Sequence, residues 1–417
     1  MISTRAPGKL FIAGEYAVVE PGHHAILVAV DRYASATVVP AAGDTVLGTD
    51  LDGGATLACR RHGDRLAAAA ADPVGRTHHR VSAGAAAWEP GSVAGADGAV
   101  HRGAAPAVPS AGPAEVAACT EPGATAVPAA FAYLFAVASI IDRLVAEREI
   151  PARAYRLDVT ADLGDADGRK FGLGASAAVT GAAVAALGEF YGLDLNPMDR
   201  YRLAMLATVE VNPRASGGDV AASTWGGWIA YSSPDRGRVA EVAAAAGVDA
   251  ALRMPWPGLS VRPLPAPTAL ELLVGWTGTP ASTPALVAGM SSRPQQPADR
   301  TDFRAHSNAC VERLSAALAA DDPSAIRTEI DCARELLLEL DTVAGVGIMT
   351  DRLTALCAAA TAVGAAAKPS GAGGGDCGIA LIDSAETAAI ADLTDRWAAA
   401  GIRTLPLRTH PYEGQRA

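Results

Sequence analysis

Two glycine-rich stretches and one strand-like stretch hold the residue types that could bind and move anions. In FGLGASAA, Phe171 to Ala178, Gly172 and Gly174 open a long Ala/Val-rich run to about Tyr191 that reads as a helix. Backbone N–H groups can converge on an anion at such a start, where the helix dipole adds positive potential. KPSGAGGGDCG, Lys368 to Gly378, is a second nest of small residues, flanked by a cation and followed by an apolar strand pattern that anchors it. A flexible loop is its plainer reading. The third stretch, APGKLFIAGEY, is a strand pattern after a Pro-Gly turn and carries Lys9, which alone would pass as an exposed lysine.

The lysines connect the three. Among 34 Lys+Arg only Lys9, Lys170 and Lys368 are lysine, one in or against each stretch and none in a long helix. A compact ammonium can act as a point charge on a phosphate where a planar guanidinium would not fit. Gly172-x-Gly174-x-x-Ala177 also fits a dinucleotide-binding fingerprint, but the charged stretch GDADGRK separates the preceding strand from the first glycine. A phosphate-binding turn of another kind fits better. No GxxxxGK[ST] and no protein-kinase HRD or DFG set is present.

The elements that must position these residues follow from the patterning. The chain has 417 residues, half of them hydrophobic, enough for two or three domains with cores of their own. LFIAGEYAVV, HAILVAV and ASATVVP read as strands. About Arg61 to Pro128 is Ala, Gly and Pro with scattered charge, a surface insertion. AAFAYLFAVASIIDRLVAE reads as a buried helix with Asp142 and Arg143 toward solvent, and YRLDVTADL as a strand. NPMDRYRLAMLATVEV is helical, and the Ala/Pro-rich stretch from about 240 to 267 is the expected lobe boundary. ALELLVGWTG is a strand; helices over roughly 303–320, 324–340 and 348–363 and a strand–helix–strand tail make the second lobe α+β.

A net charge of −11 leaves no basic excess for a nucleic acid or an anionic membrane. The six cysteines show no CxxC and no regular spacing, so reduced core thiols are expected. The start MISTRAPGKLF has no leader pattern, and the apolar run Ala129 to Ile141 is short for a bilayer span. A cytoplasmic protein is expected.

Together, PGKLFIAGEYAVV, GLGASAA and KPSGAGGGDCGIAL resemble, in the right order, the three motifs of the GHMP superfamily of galactokinase, homoserine kinase, mevalonate kinase and phosphomevalonate kinase. RKFGLGASAAV, SGGDVAASTWGGWIAYSSP and VGWTGTPASTPALV most resemble its bacterial phosphomevalonate kinase branch. The resemblance implies an α+β, two-lobed GHMP kinase fold. An N-terminal lobe (1–240) similar to ribosomal protein S5 domain 2 would precede a ferredoxin-like C-terminal lobe (241–417). It implies ATP and Mg2+ as cofactors and 5-phosphomevalonate as the small-molecule substrate, converted to its diphosphate. A homodimer is left open.

Carried over by resemblance, ATP phosphates would rest on Lys170, Gly172, Leu173, Gly174, Ala175, Ser176 and Ala177. Ala175 stands where many members have serine. Ser176 would be a magnesium ligand; Glu210 is either a second ligand or an ordinary helix-end carboxylate. Asp219 matches the acidic catalytic residue, with Lys9 its partner. Ser370, Gly371, Ala372 and Gly373 match the loop that holds the acceptor, with Ser216 in the SGGD segment also assigned to it. Lys9, Lys368, Arg293 and His23 are the cations expected around the acceptor. Three other readings are a mevalonate kinase acting on the alcohol, a diphosphomevalonate decarboxylase, and a non-catalytic sensor on the same fold.

Overall fold

The computed structural model describes residues 1–50, 54–62, 65–69, 126–281, 286 and 297–413. Two sheets organise it. The first has eight strands: β1 (Ile2–Ala13), β2 (His24–Pro40), β3 (Thr45–Thr49), β4 (Thr56–His62), β5 (Arg65–Ala68), β6 (Tyr155–Ala161), β7 (Trp228–Ser232) and β8 (Ser260–Leu264). Their order is β5-β4-β3-β6-β2-β7-β8, with β1 pairing with β2 off this path. Among the described residues only β3 and β6 run parallel.

HAILVAV and ASATVVP are not two strands but one, β2, which β1 accompanies from Ile2↔Val38 to Ala13↔Ile26. The intervening polar residues stay extended because β1 continues to pair on both sides of a register shift at Pro7/Gly8. GEYAVV, by contrast, leaves the sheet: the chain turns and forms a 3-10 segment at Ala17–Val19.

Helices α1 (Ala132–Glu147), α2 (Ala175–Tyr191), α3 (Pro197–Val211) and α4 (Gly218–Trp225) pack on one another and on the sheet, with α2 against β1 and β2. Small residues on α2, among them Ala178, Ala182, Ala183 and Ala186, are fully buried and permit close approach. Asp199 N–H bonds the Asn196 side chain and Pro197 occupies the first turn, which sets the start of α3. Asp142 does not face solvent: its side chain is 1% exposed and Arg61 on β4 grips both carboxylate oxygens. A buried carboxylate needs such a partner.

Two boundaries move. The first sheet takes its last strand from Ser260–Leu264, reached through α5 (Arg236–Ala246) and α6 (Val248–Arg253), so it extends past 240. Strand Arg65–Ala68 pairs with β4, so ordered structure runs into the expected insertion; residues 70–125 lie outside the described residues.

The second sheet joins β9 (Leu270–Trp276), β10 (Ala366–Pro369), β11 (Cys377–Asp383) and β12 (Arg403–Leu405), all antiparallel, in the order β10-β11-β9-β12. Helix α10 (Thr387–Ala399) links β11 to β12, and the whole is the ferredoxin-like β-α-β-β-α-β pattern. Helices α7 (Pro297–Ala319), α8 (Pro323–Ala344) and α9 (Asp351–Ala362) stand between β9 and β10. Trp397, Leu393 and Leu356 fill a core under this sheet. The lobes interlock. Residues 408–410 return to the first sheet, where Asp31 N donates to Arg408 O at 2.9 Å and Gly227 N to His410 O at 2.8 Å.

Candidate functional site

The three sequence motifs meet where the lobes face each other. Gly8 on β1 permits the first contact: a Cβ there would stand 2.9 Å from the Leu173 carbonyl oxygen and 2.7 Å from Leu163 Cδ2. The next residue then donates its backbone N–H to Leu173 O at 2.9 Å, and Lys9 Nζ donates to Gly172 O at 3.2 Å. Lys9 is only 7% exposed, with its ammonium 5.4 Å from the centre of the Phe11 ring. Both the glycine step and β1 thus hold one lysine.

Helix α2 begins at Ala175 with Gly174 in the left-handed region (φ 74°) and no side-chain cap. Its first-turn N–H groups, Ala175 to Ala177, therefore lack intrahelical partners, which is the arrangement that binds phosphate. Ser176 lies in this turn. In front of it opens a cavity of about 900 Å³ lined by Tyr133, Phe171, Lys170, Asp165 and Arg403 among others. Its size suits a nucleotide. Lys170 is exposed on the cavity wall. Tyr133 lies beside Ser176; burial, and then the charge of Asp219, raises its phenol above the ordinary range.

Asp219 occupies the first turn of α4, where its Oδ1 accepts the Val220 N–H at 3.0 Å. Among the described residues no ion pair joins it to Lys9: each is held locally, Lys9 by the Gly172 carbonyl and Asp219 by a helix start. Ser216 anchors the same helix. Its hydroxyl accepts from Gly218 N at 3.3 Å, and its carbonyl accepts from Tyr231 OH at 2.6 Å.

The second glycine loop docks on β1. Ser370 Oγ accepts from Phe11 N at 2.9 Å and donates to Phe11 O at 3.0 Å, so its hydroxyl joins the lobes and is not free for an acceptor. Ala372 O accepts from Tyr16 OH at 2.5 Å, and Gly374 N donates to Ile348 O at 2.8 Å. Gly371 and Gly373 both adopt positive φ in this loop. Lys368 is not a cleft cation. It is fully buried, ion-paired with Glu15, and donates to Pro369 O at 2.6 Å. Glu15 also accepts from Gly371 N at 3.3 Å, so this pair sets the loop from beneath.

Two other candidates have partners of their own. Glu210 pairs with Arg143 (3.4 Å), which sits on α1 about 15 Å along the helix from Tyr133. This pairing at the end of α3 accords with the helix-end reading. His23 Nδ1 meets the Asn308 side-chain amide at 3.0 Å, which ties its turn to α7. Arg293 lies outside the described residues.

The sequence reading missed Asp376. This carboxylate ends the glycine run, reaches the Gly172 backbone, and accepts the Ala281 N–H at 3.0 Å. Burial raises it above the usual carboxylate range, opposed by the Ala281 N–H and by the charges of Lys9 and Lys170. The signal available was a lone acid in SGAGGGD, in a loop otherwise built for anions.

The chain is also similar to known proteins along nearly its whole length. The family described as GHMP kinases N terminal domain matches residues 132–227, and GHMP kinases C terminal matches 314–399. The chain is 45% identical to phosphomevalonate kinase of Streptomyces sp. (strain CL190), over 99% of this chain and 98% of that protein. A solved structure of a Listeria innocua protein superposes with TM-score 0.77 at 28% identity, covering 98% of this chain and 97% of that one. The fold is also that of Streptococcus pneumoniae phosphomevalonate kinase, solved in complex with phosphomevalonate and AMPPNP: TM-score 0.73, 24% identity, 98% of this chain and 100% of that one.

Proposed function

The chain belongs to the GHMP kinases, and from that premise we propose that it transfers the γ-phosphoryl of ATP to the phosphate of 5-phosphomevalonate, giving the diphosphate and ADP. The observation that carries the reading is the convergence of Lys9, the uncapped start of α2 and the glycine loop on one cleft. The full-length likeness to the Streptomyces enzyme supports the choice of acceptor.

The open N–H groups of Ala175 to Ala177 bind nucleotide phosphates, with Lys170 at the cavity wall. Lys9 neutralises the two anions as they approach, which is most of what phosphoryl transfer asks of a protein. A phosphate monoester with second pKa of about 6 is largely dianionic at neutral pH, so its attacking oxygen needs no strong base. Asp219 therefore orients rather than deprotonates. Asp376 lies within electrostatic reach of Lys9 and closes the glycine loop on Gly172.

A hydroxyl in the first turn of α2 suits Mg2+, a hard ion held by few protein oxygens plus phosphates. Ser176 would supply that oxygen, while Glu210 pairs with Arg143. The ion would neutralise charge developing on the transferred group.

Purified protein with ATP and, separately, phosphomevalonate, mevalonate, homoserine or galactose tests the reading through ADP release. ADP with phosphomevalonate alone is the expected result. ADP with mevalonate instead would move the enzyme to the alcohol kinases, and nucleotide binding without ADP for any acceptor would make it a sensor.

A further inference from the structure

Helices α7 and α8 form an antiparallel hairpin whose inner faces bring two thiols and a carboxylate together. The ligand atoms of Cys310, Glu329 and Cys332 all lie within 4.8 Å of one another. Cys310 is 1% exposed and donates to Glu329 O at 3.4 Å; Cys332 is half-buried. Burial raises the Cys310 thiol, as do the charges of Cys332 and Glu329. Arg313 takes both Glu329 oxygens, at 2.7 and 2.9 Å, and its Nη2 donates to Cys332 Sγ at 3.5 Å. With the carboxylate already bonded twice to a guanidinium, a divalent ion would have to displace that cation and then sit beside it. The two sulfurs remain free to react with each other.

We propose that Cys310 and Cys332 form a redox-active dithiol that closes to a disulfide when hydrogen peroxide oxidises Cys332. The Cys332 sulfur attacks the peroxide, an S–O bond forms as O–O breaks, and the departing oxygen leaves as water. Cys310 then attacks that sulfur, an S–S bond forms as S–O breaks, and its proton leaves with a second water. The two sulfurs give up the two electrons that reduce the peroxide. A dithiol reductant reverses the change.

Closure draws the sulfurs to about 2.05 Å and so shifts the hairpin. The hairpin contacts two segments that adjoin the elements of the cleft, the turn before β2 and the chain that supports the second glycine loop. Asn308, two residues before Cys310, holds His23 and the backbone of His24. Asp341, further along α8, binds the N–H groups of Gly347 and Met349 beside the carbonyl that receives Gly374.

The test uses the full chain and reads mass, so it does not depend on the catalytic reading. Cleavage after arginine leaves Cys310 on peptide 305–313 and Cys332 on 328–334. After mild hydrogen peroxide and alkylation, these two peptides should appear linked, and dithiothreitol should part them. Cys332→Ser should give no link and leave Cys310 a thiol; Cys310→Ser should leave a sulfenic acid at Cys332 that dimedone traps. Recovery of both peptides unlinked from oxidised protein, linkage of either to another cysteine, or a zinc ion that co-purifies and blocks alkylation would each overturn the proposal. Linked protein should turn over several-fold more slowly until reduced; an unchanged rate would overturn the coupling to the cleft.

Discussion

Gly172 lies directly beneath the side chain of Asp376: a methyl group on Gly172 would stand 2.5 Å from both Cβ and Cγ of that residue and 2.6 Å from Oδ2. The contact joins the phosphate-binding step of the first lobe to the glycine loop of the second. It also brings a carboxylate within electrostatic reach of Lys9, the residue that the Gly172 carbonyl holds.

Gly172→Ala should therefore weaken nucleotide binding in two separable ways. Its φ of 82° disfavours any side chain, and its Cβ would collide with Asp376. We expect KM for ATP to rise at least ~10-fold, the equivalent of about 1.4 kcal/mol. Adding Asp376→Ala should recover the part due to collision and leave the part due to backbone strain. Full recovery in the double variant would mean that strain contributes nothing.

Lys368→Met tests whether that lysine serves the ligand or the fold. Its removal leaves Glu15, 4% exposed at its side chain, as an unpaired buried carboxylate. Breaking one side of such a pair costs about 3–5 kcal/mol. The urea midpoint should fall sharply, and Glu15→Gln should fall with it. A variant of normal stability whose only defect is a raised KM for the acceptor would return Lys368 to the cleft.

The three lysines illustrate what the sequence could and could not tell. Rarity flagged Lys9, Lys170 and Lys368 alike, and all three are in or beside the motifs, yet their surroundings differ. Lys9 and Lys170 face the phosphate step, whereas Lys368 is fully buried on Glu15. Nothing in local spacing links residue 15 to residue 368, since the pairing depends on how the lobes dock. The same holds for Asp142, whose partner Arg61 is on a strand 81 residues away. Helix starts were more legible, because Asn196 and Pro197 or the glycines before Ala175 act within one turn. Strand β2 was not divisible where the sequence suggested, because its extent is set by pairing with β1.

Asp376→Asn should stabilise the protein while slowing it. The folded environment raises the carboxyl above its unfolded value, chiefly by burial, so the native state binds that proton more tightly. The stabilisation this gives is present below about pH 4 and is lost as pH rises through the folded value. Asparagine keeps an oxygen for the Ala281 N–H and carries no charge, so its gain over wild type should grow from nil in acid to a plateau near neutrality. Thermal melts across pH measure this directly. Turnover should fall because Lys9 loses a neighbouring charge; a fall in both stability and turnover at neutral pH would contradict a costly buried carboxylate.

The final comparison is between Lys9→Met and Asp219→Asn in single-turnover rate. Two anions must meet, so the cation between them should carry the larger share, on the order of 10³-fold for its loss. Asp219 should cost far less, about 10-fold, the scale of a lost orienting contact worth about 1.4 kcal/mol. The geometry favours this order for a second reason. Lys9 is held by Gly172 O and lies over Phe11, and among the described residues it has no ion pair to Asp219, so neutralising Asp219 leaves the ammonium where it is. Asparagine at 219 also keeps an acceptor for the Val220 N–H, so the start of α4 survives. If Asp219→Asn abolished transfer while Lys9→Met barely slowed it, the acceptor would need a base after all. That would favour an alcohol over a phosphate as the attacking group.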